Sequence, residues 1–385
     1  MKKGRKNKLA IVFSGDFPEG NTKNARLKII ANELIEDNWI SYFFSAYPYR
    51  FSKTLNHKQP SRWNGFRISF FSLSRTYPSL FILRIFQIIC SHIVILFWTL
   101  FRAHKFNSFY YYNPRWTDTL LSLYINSLLG RKCIVDQTEL FSSGKNRAWH
   151  QSEERVIAKR ASVLFVISNK LLEHFKSIRT KPTHLFPILI NTERFNVGTE
   201  EQQHLLGYIG SFAAKDGVNL LLEALQTVRK SNDKVRLRLI GYNPEMDKLI
   251  DKVAFLGLQD FVEITGTVTF KEIPWLLNEC NTLLMNRDAS SFASYGYPIK
   301  LGEYFACKKP VIMSDGDGFS TDFEDRNQVY KYKVDDASSL AETILYRYKN
   351  IGESDAIAAR GYQYALDYFD SSKKGRFLTT VLKDL

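Results

Sequence analysis

The sequence predicts an α/β protein with two doubly wound parallel sheets, and three observations support this prediction. A chain of 385 residues is too long for one small core, so two domains are expected. Short apolar runs alternate with longer segments of helical periodicity. This strand–helix order restarts near residue 205, after the polar stretch NTERFNVGTEEQQH. We therefore expect a Rossmann-like first domain over 1–190, a linker over 191–204 and a Rossmann-like second domain over 205–361. A C-terminal helix at about 362–385 is expected to pack back on the first domain.

The predicted strands are short runs rich in β-branched and aromatic residues. In the first half they are Leu9–Phe13, Ile40–Phe44, Phe66–Phe71, Phe109–Tyr112, Cys133–Asp136, Val163–Ile167 and Thr183–Phe186. In the second half they are Leu205–Ile209, Val235–Ile240, Val262–Ile264, Thr282–Met285, Val311–Met313 and Val329–Tyr332. Ligands bind beyond the carboxyl ends of the strands in such sheets, so functional residues are expected in the loops that follow strands, at a cleft between the domains.

The net charge and the cysteine content indicate what kind of partner and what cellular compartment to expect. A net charge of +14 and a pI near 9.4 favour an anionic partner, which could be nucleic acid, an acidic membrane face or a phosphorylated substrate, although solubility alone could explain them. The four cysteines are far apart and show no metal-ligand spacing, which fits a reducing compartment. The apolar run Leu9–Phe13 near the N-terminus is too short for a signal peptide. We expect a cytoplasmic protein.

The segment Ile85–Phe101, IFQIICSHIVILFWTLF, contains no Asp, Glu, Lys or Arg. As a helix it would span roughly 25 Å, which is short of a hydrocarbon core of roughly 30 Å. We favour a crossover helix buried beside the first sheet. The alternative is a monotopic segment that dips into the inner face of the cell membrane, helped by nearby Arg and Lys residues.

A carboxylate interrupts the apolar face of a predicted helix in SYGYPIKLGEYFACKKPVIM. Pro298 suits the first position of a helix, and the free amides that follow favour a phosphate. Glu303 lies one turn further along, and a buried carboxylate needs hydrogen-bond donors such as two vicinal ribose hydroxyls. The pattern indicates a nucleotide-sugar site, with a Glu that caps an amide or pairs with a lysine as the equal alternative.

The start of the second domain, LLGYIGSFAAKDGVNLLLEAL, is a strand, a small-residue loop and a helix. Gly210 and Ser211 leave room for a ligand beside the backbone. Lys215 stands near the helix start, where a cation could meet a diphosphate. The Gly-Lys-Ser/Thr of a P-loop is absent from this stretch.

The second half of the chain resembles the retaining glycosyltransferases of family 4, which have the GT-B fold. The resemblance lies in the two stretches quoted above and in the segment between them, ITGTVTFKEIPWLLNECNTLLM. The last block, YGYPIKLGEYFACKKPVI, is the most specific. The first half matches more loosely, through GDFPEGNTKNARLKIIANELIEDNW, FVISNKLLEHF and PILINTERF.

The resemblance implies roles for individual residues. Glu303 would hold the ribose hydroxyls, Lys215 would neutralise the departing diphosphate, and the amides at Ile299 and Lys300 would bind a phosphate. Gly15 and its loop would lie near the diphosphate and the acceptor. No cofactor and no metal are expected beyond the nucleoside diphosphate sugar.

The sequence departs from the family pattern at three places. Tyr295 stands where many relatives have a second Glu. Many relatives also have an Arg shortly after the position of Gly210, where this chain has Ser211. Lys300 or Arg287 could supply the missing positive charge beside the diphosphate. The first-domain His that relatives place beside the donor sugar has no clear counterpart. Asp136 and Glu139, which follow a strand, are the acceptor-side candidates, and either could instead cap a helix.

The resulting hypothesis is a metal-independent glycosyltransferase that moves a hexosyl or related sugar to a glycan or lipid-linked glycan, with retention, in cell-surface polysaccharide or glycolipid synthesis. Peripheral contact with an anionic membrane would accompany this role, and no nucleic-acid partner is expected. The alternatives are a non-catalytic GT-B partner subunit and a nucleotide-sugar epimerase-like enzyme. Asp315-Gly316-Asp317 resembles an Asp-x-Asp metal motif but reads as an ordinary turn.

Overall fold

The structure, a computed structural model, describes residues 7–15, 17–18, 22–37, 39–46, 61–71, 80–144, 147–212, 216–243, 245–287, 295–316 and 318–385. The chain divides into two units. The first consists of Met1–Pro187 together with Ser371–Leu385, and the second is Ile188–Asp370. Each unit carries one sheet, as the restart of the strand–helix order predicted.

The predicted linker over 191–204 is wrong, because these residues are part of the second unit. Thr192–Phe195 form a short 3-10 helix in which the ring of Phe195 is buried, and the Asn278 amide donates a hydrogen bond to the Phe195 carbonyl at 3.0 Å. The first strand of the unit then begins at Gln202. Polar side chains concealed this packing, since Asn191 is used locally to cap the 3-10 helix.

The first unit alternates strands and helices in chain order. Its elements are β1 (Asn7–Phe13), α1 (Thr22–Glu36), β2 (Trp39–Ser45), β3 (Arg62–Trp63), β4 (Phe66–Phe70), α2 (Phe81–Phe101), β5 (Ser108–Tyr112), α3 (Leu120–Leu128), β6 (Lys132–Gln137), α4 (Arg147–Arg160), β7 (Val163–Val166), α5 (Asn169–Ile178) and β8 (Thr183–Leu185). The C-terminal helix Ser371–Asp384 returns to pack against α1, where Gly375 lies close to Glu33.

The first sheet has the order β3-β4-β2-β1-β5-β6-β7-β8, and its pairs are parallel apart from the short β3–β4 hairpin. In-register pairs such as Ile11 with Tyr110 and Tyr110 with Ile134 place fully buried side chains side by side. The predicted strands of this half are all present. Most are near-continuous apolar runs, as expected of strands covered on both faces, although β4 alternates buried and exposed residues and β8 is only partly buried.

Helix α2 contradicts the favoured interpretation of a buried crossover helix. It connects β4 to β5, but only Gln87, Ser91, Ile95 and Thr99 are buried, and these follow one another at intervals of four residues. Its large apolar side chains are mostly exposed, including Ile82 at 78% and Phe86 at 63%. Among the described residues α2 is the helix that is long and apolar enough to cross a bilayer, judged by length and composition.

The second unit repeats the alternation. Its elements are β9 (Gln202–Ile209), α6 (Val218–Arg229), β10 (Arg236–Ile240), α7 (Met246–Phe255), β11 (Val262–Gly266), α8 (Ile273–Asn278), β12 (Cys280–Met285), α9 (Ile299–Ala306), β13 (Val311–Asp315), β14 (Tyr330–Lys333), α10 (Ala337–Lys349) and α11 (Ile351–Tyr364). A π-helical turn, Ala365–Phe369, follows α11 and completes the unit.

The second sheet is parallel, with the order β11-β10-β9-β12-β13-β14. The chain leaves β9 toward β10 and β11, then returns to place β12 on the other side of β9. The strand order therefore reverses between β9 and β12, and the loops after these two strands diverge there. In doubly wound sheets this switch point is where ligands bind.

Candidate functional site

Helix α9 begins after β12, beside the switch point of the second sheet. Pro298 has extended torsion angles (φ −74°, ψ 121°) and is the N-cap, so the first helical residue is Ile299, one position later than predicted. The amides of Ile299 and Lys300 open the helix and have no carbonyl within it to bind. They present donors and the positive end of the helix dipole, as an anion site requires.

Glu303 stands one turn into α9 and is only 8% exposed. Burial raises the pKa of its carboxyl from 4.5 to about 7, and the opposing attraction of Arg194 and Lys300 only partly offsets this. Among the residues that the structure describes, none donates a hydrogen bond to this carboxylate or forms an ion pair with it. No described protein group satisfies this largely buried carboxylate, and its oxygens are not sealed from solvent, so donors from a ligand would complete it.

The helix approaches its neighbours closely at Gly302, which explains the depth of Glu303. A Cβ atom at Gly302 would lie 2.6 Å from the Ile190 side chain and 2.8 Å from that of Ile188. Leu301, Tyr304 and Phe305 on the same helix are also buried. The Glu is therefore held on a rigid element rather than on a mobile surface.

Lys300 belongs to a polar cluster that joins α9 to the loop after β9. Its Nζ donates to the Tyr208 hydroxyl at 2.6 Å and pairs with Asp216 Oδ1 at 3.3 Å. Ser211 Oγ donates to the other carboxylate oxygen at 3.2 Å. Burial tends to raise the pKa of Asp216, but Lys300 and the surrounding hydrogen bonds outweigh it and hold the pKa below its usual value.

Gly210 lies where β9 ends, and the space beside it is filled by this cluster. A Cβ atom there would lie 3.1 Å from Lys300 Nζ and 2.8 Å from the Tyr208 hydroxyl. The backbone of Gly241 lies against the backbone of Gly210, since a Cβ atom at Gly241 would be 1.9 Å from the Gly210 carbonyl oxygen. The ammonium of Lys300 thus stands beside the small-residue loop, and its role as a substitute cation stays a prediction. Lys215 falls outside the described residues, so its placement stays a prediction.

The loop after β12 supplies two further parts of the site. Arg287 is anchored through its backbone, because its amide donates to Ser314 Oγ at 3.1 Å and its carbonyl accepts from the same hydroxyl at 3.0 Å. Its guanidinium is close enough to oppose the rise in the pKa of Tyr208. Tyr295, partly buried, lies shortly before α9 on the far side of residues 288–294, which the structure does not describe.

Sequence reasoning missed Asp216 and Asn286. Asn286 follows β12 and its amide donates to the carbonyls of Asp216 and Gly217, both at 3.0 Å, while its own oxygen accepts from Tyr332. Asn286 therefore fixes the start of α6 against the loop after β12. The available signal was its position, a polar residue directly after a buried strand at the switch point.

The structure contradicts the predicted acceptor-side role of Asp136 in the first unit. Asp136 is fully buried, and Arg26 from α1 donates to its two oxygens at 2.7 and 3.0 Å. The Tyr110 hydroxyl donates at 2.6 Å. Arg26 also donates to the carbonyls of Phe186 and Pro187. Both carboxylate oxygens are occupied and sealed from solvent, which is the environment of a structural ion pair rather than of the acceptor-side carboxylate that we predicted.

Glu139 and Gly15 lie in loops at the same edge of the first sheet, because β1 and β6 both run parallel to β5 between them. Glu139 is partly exposed. Gly15 has φ +100°, which favours glycine, and its carbonyl accepts from Ser45 Oγ at 2.6 Å. Their acceptor-side roles stay predictions.

No group of three His, Cys, Asp or Glu side chains is placed to hold a metal in the described part of the chain. Asp315 is the last residue of β13 and pairs with Lys331 at 3.0 Å, while Asp317 lies outside the described residues. Metal independence stays a prediction.

Two comparisons of sequence identify relatives of the chain. A model of the family "Glycosyl transferases group 1" matches residues 190–364, within the second unit. The chain is 27% identical over 233 residues to a putative teichuronic acid biosynthesis glycosyltransferase, TuaC, of Bacillus subtilis, covering 57% of this chain and 55% of that protein. It is also 27% identical over 172 residues to the amylovoran biosynthesis glycosyltransferase AmsK of Erwinia amylovora, covering 44% and 42%. The chain spans about half the length of these relatives.

Solved structures show the fold over nearly the whole chain. HepE of Anabaena in complex with UDP superposes with a TM-score of 0.74 at 16% identity, covering 98% of this chain and all of that one. Sucrose-phosphate synthase of Thermosynechococcus elongatus has a TM-score of 0.74 at 14% identity, covering 98% and 99%. WaaG, a glycosyltransferase involved in lipopolysaccharide biosynthesis, has a TM-score of 0.67 at 15% identity, covering 97% and 99%. The chain therefore has the GT-B fold, and the part of it that is similar to the group 1 glycosyl transferases is residues 190–364 of the second unit.

Proposed function

We propose that this protein is a retaining glycosyltransferase of family 4 that transfers a hexosyl or related sugar from a nucleoside diphosphate donor to a hydroxyl of a glycan in polysaccharide biosynthesis. The observation that carries the proposal is Glu303, a buried carboxylate one turn from a helix start, with no donor among the described residues. The matched relatives are named as glycosyltransferases of teichuronic acid and of amylovoran biosynthesis, and UDP is present in a structure of the same fold.

In the proposed site Glu303 accepts hydrogen bonds from the two hydroxyls of the donor ribose. The pKa of about 7 describes the carboxyl without a ligand. Two hydroxyl donors stabilise the ionised form, so donor binding would lower this pKa. The site would discriminate against a deoxyribose, because one carboxylate oxygen would then remain buried and unpaired.

The diphosphate would meet the amides of Ile299 and Lys300, with the Lys300 ammonium and the Arg287 guanidinium as cations. Negative charge grows on the leaving diphosphate as the glycosidic bond breaks, and preorganised donors there lower the barrier. Lys300 is already oriented by Tyr208 and Asp216, so little reorganisation would accompany transfer. These groups would replace a metal ion, which supports a metal-independent reaction.

The acceptor would be bound by the first unit, where the loops after β1 and β6 carry Gly15 and Glu139. Retention is supported by the resemblance of YGYPIKLGEYFACKKPVI to the retaining enzymes of family 4. The donor base is proposed to be uracil because the superposed HepE structure was solved with UDP.

A non-catalytic partner subunit is the second candidate, since Tyr295 and Ser211 replace side chains that many relatives use. Ser211 binds Asp216 rather than presenting a cation. Slow hydrolysis of a UDP-sugar by the purified protein distinguishes the two, because a subunit that only binds the donor would release no free sugar.

The direct test is thermal melting with UDP and with GDP. A ligand that binds the folded state raises the melting temperature by mass action, so we expect a rise with UDP that Glu303→Gln removes. The exposed Glu342 on α10 offers a matched control, and Glu342→Gln should keep the rise. The proposal fails if neither nucleotide stabilises the protein, or if Glu303→Gln binds UDP as the unaltered chain does.

A further inference from the structure

The unexplained feature of the first unit is the outer face of α2. Its exposed apolar side chains recur at helical spacing and form one stripe, which we call the α2 stripe: Ile82, Phe86, Ile89, Ile93, Phe97 and Leu100. Their exposures run from 43% to 78%. At about 100° per residue they lie on the side of the helix opposite Gln87, Ser91, Ile95 and Thr99, the residues that face the unit. A continuous apolar surface of this kind marks an interaction site.

The inner face of α2 combines hydrogen bonds with apolar packing, and these contacts fix the orientation of the helix. Thr99 Oγ1 bonds to Ser122 Oγ of α3 at 3.0 Å, and His92 Nε2 bonds to the Trp116 carbonyl at 2.9 Å. The Trp98 ring packs against Phe44 at 4.5 Å between centroids. Polar residues, Ile95 and the Trp98 ring thus face the unit, while the side chains of the α2 stripe face outward.

Charge identifies the occupant of the stripe. From Asn38 to Thr117 the sequence contains ten Lys and Arg residues and no Asp or Glu, so this stretch supplies most of the net charge of +14. Exposed cationic residues stand at both ends of the helix, with Arg84 in its second turn and Arg102 and Lys105 directly after it. Helices with an apolar face and basic ends are typical of proteins that bind the surface of an anionic membrane.

Two other occupants fit less well. A second copy of the chain would bring two segments of like charge together, since residues 38–117 contain ten Lys and Arg and no Asp or Glu. A transmembrane orientation would break the inner contacts of α2, and its two flanking strands, β4 and β5, both belong to the first sheet. The helix is about 31 Å long and would lie in the plane of the membrane.

We propose that the α2 stripe is a membrane-docking surface that seats the first unit on an anionic lipid bilayer. One consequence rests on the proposed glycosyltransferase function: a protein held at the bilayer would meet its acceptor as a lipid-linked glycan, at the inner face of the cell membrane. The docking itself does not depend on catalysis. The two claims can therefore be tested separately in the same variants.

The test is flotation of the purified full chain with vesicles of equal parts phosphatidylglycerol and phosphatidylcholine, and with phosphatidylcholine alone. We expect binding to the anionic vesicles that weakens as salt is raised. Ile89→Ser, Ile93→Ser and Phe97→Ser combined should lower the partition coefficient at least about tenfold, since each removes apolar area from the lipid contact. Arg102→Gln with Lys105→Gln should lower it about fivefold per charge on anionic vesicles only.

A matched control is the exposed apolar set Ile250→Ser, Phe255→Ser and Ile351→Ser of the second unit, which should float as the unaltered chain does. Melting curves check folding, and a UDP-induced rise retained in the α2 variant separates loss of docking from loss of the nucleotide site. The proposal is overturned if the unaltered chain does not float, if the α2 variant floats equally well, or if the control set abolishes flotation. A concentration-dependent dimer that the α2 variant dissolves, without flotation, would assign the stripe to a second copy instead.

Discussion

Glu303→Gln should remove the loss of stability that the buried carboxyl causes at high pH, and it should also remove the binding of UDP-glucose. The carboxyl has a pKa of about 7 in the folded protein against 4.5 for an ordinary Glu, chiefly because it is buried. The folded state therefore holds its proton more tightly than the unfolded state. The stability that follows is fully present below pH 4.5 and is lost as the pH rises through 7.

The size of this loss follows from the two values. A rise from 4.5 to about 7 corresponds to roughly 3 kcal/mol at high pH, which is an upper bound. At pH 8 the neutral amide of Glu303→Gln avoids this loss, so the variant should melt several degrees higher than the unaltered chain, given about 2–4 °C per kcal/mol for units of this size. At pH 4.5 the difference should vanish.

The affinity for UDP-glucose should rise with pH, whereas the stability of the unaltered chain falls. The ionised carboxylate is the form that accepts two hydroxyl donors, and its fraction falls from about 90% at pH 8 to about 10% at pH 6. The affinity for UDP-glucose should thus fall about tenfold between these values, measured by calorimetry. UDP-glucose suits this test because its diphosphate is esterified at both ends and does not titrate in the range.

Glu303→Gln serves as the control for other titrating groups, because any pH dependence that remains in it arises elsewhere. Two results would refute the reasoning. One is an affinity that does not change between pH 6 and pH 8 in the unaltered chain. The other is a Glu303→Gln protein that melts no higher at pH 8, which would mean that the carboxylate is already compensated in the free protein.

Three further predictions concern the cluster, the buried ion pair and the inner face of α2. Lys300→Met should weaken binding of UDP roughly tenfold, because it removes a charge-assisted contact to the diphosphate, and equal affinity by calorimetry would contradict its role. Asp136→Ala should cost about 3–5 kcal/mol in urea unfolding by leaving a buried guanidinium unpaired, whereas Asp315→Ala, at an exposed pair, should cost less than about 1 kcal/mol. Ile95→Ala should destabilise by about 2–4 kcal/mol and Ile93→Ala by less than about 1 kcal/mol, since the first side chain is fully buried and the second is 48% exposed; equal losses would place both residues in the core.

The amino-acid sequence alone was sufficient to locate every described strand except the two-residue β3, the restart of the alternation and the helix that carries Glu303. These features depend on periodicity and on residues close together in the chain. Because a parallel sheet puts the carboxyl ends of its strands at one edge, the loops after β9 and β12 could be singled out before their neighbours were known.

Only the tertiary structure decided which polar groups are already satisfied. Asp136 meets Arg26 from 110 positions away, and Asp216 meets Lys300 from 84 positions away, through a sheet order that no local pattern encodes. The same applies to α2: composition marked it as apolar throughout, and the packing of its small polar residues on α3 determined that the apolar face points outward. Hydrophobicity is a property of each residue, but its burial depends on what the rest of the chain brings beside it.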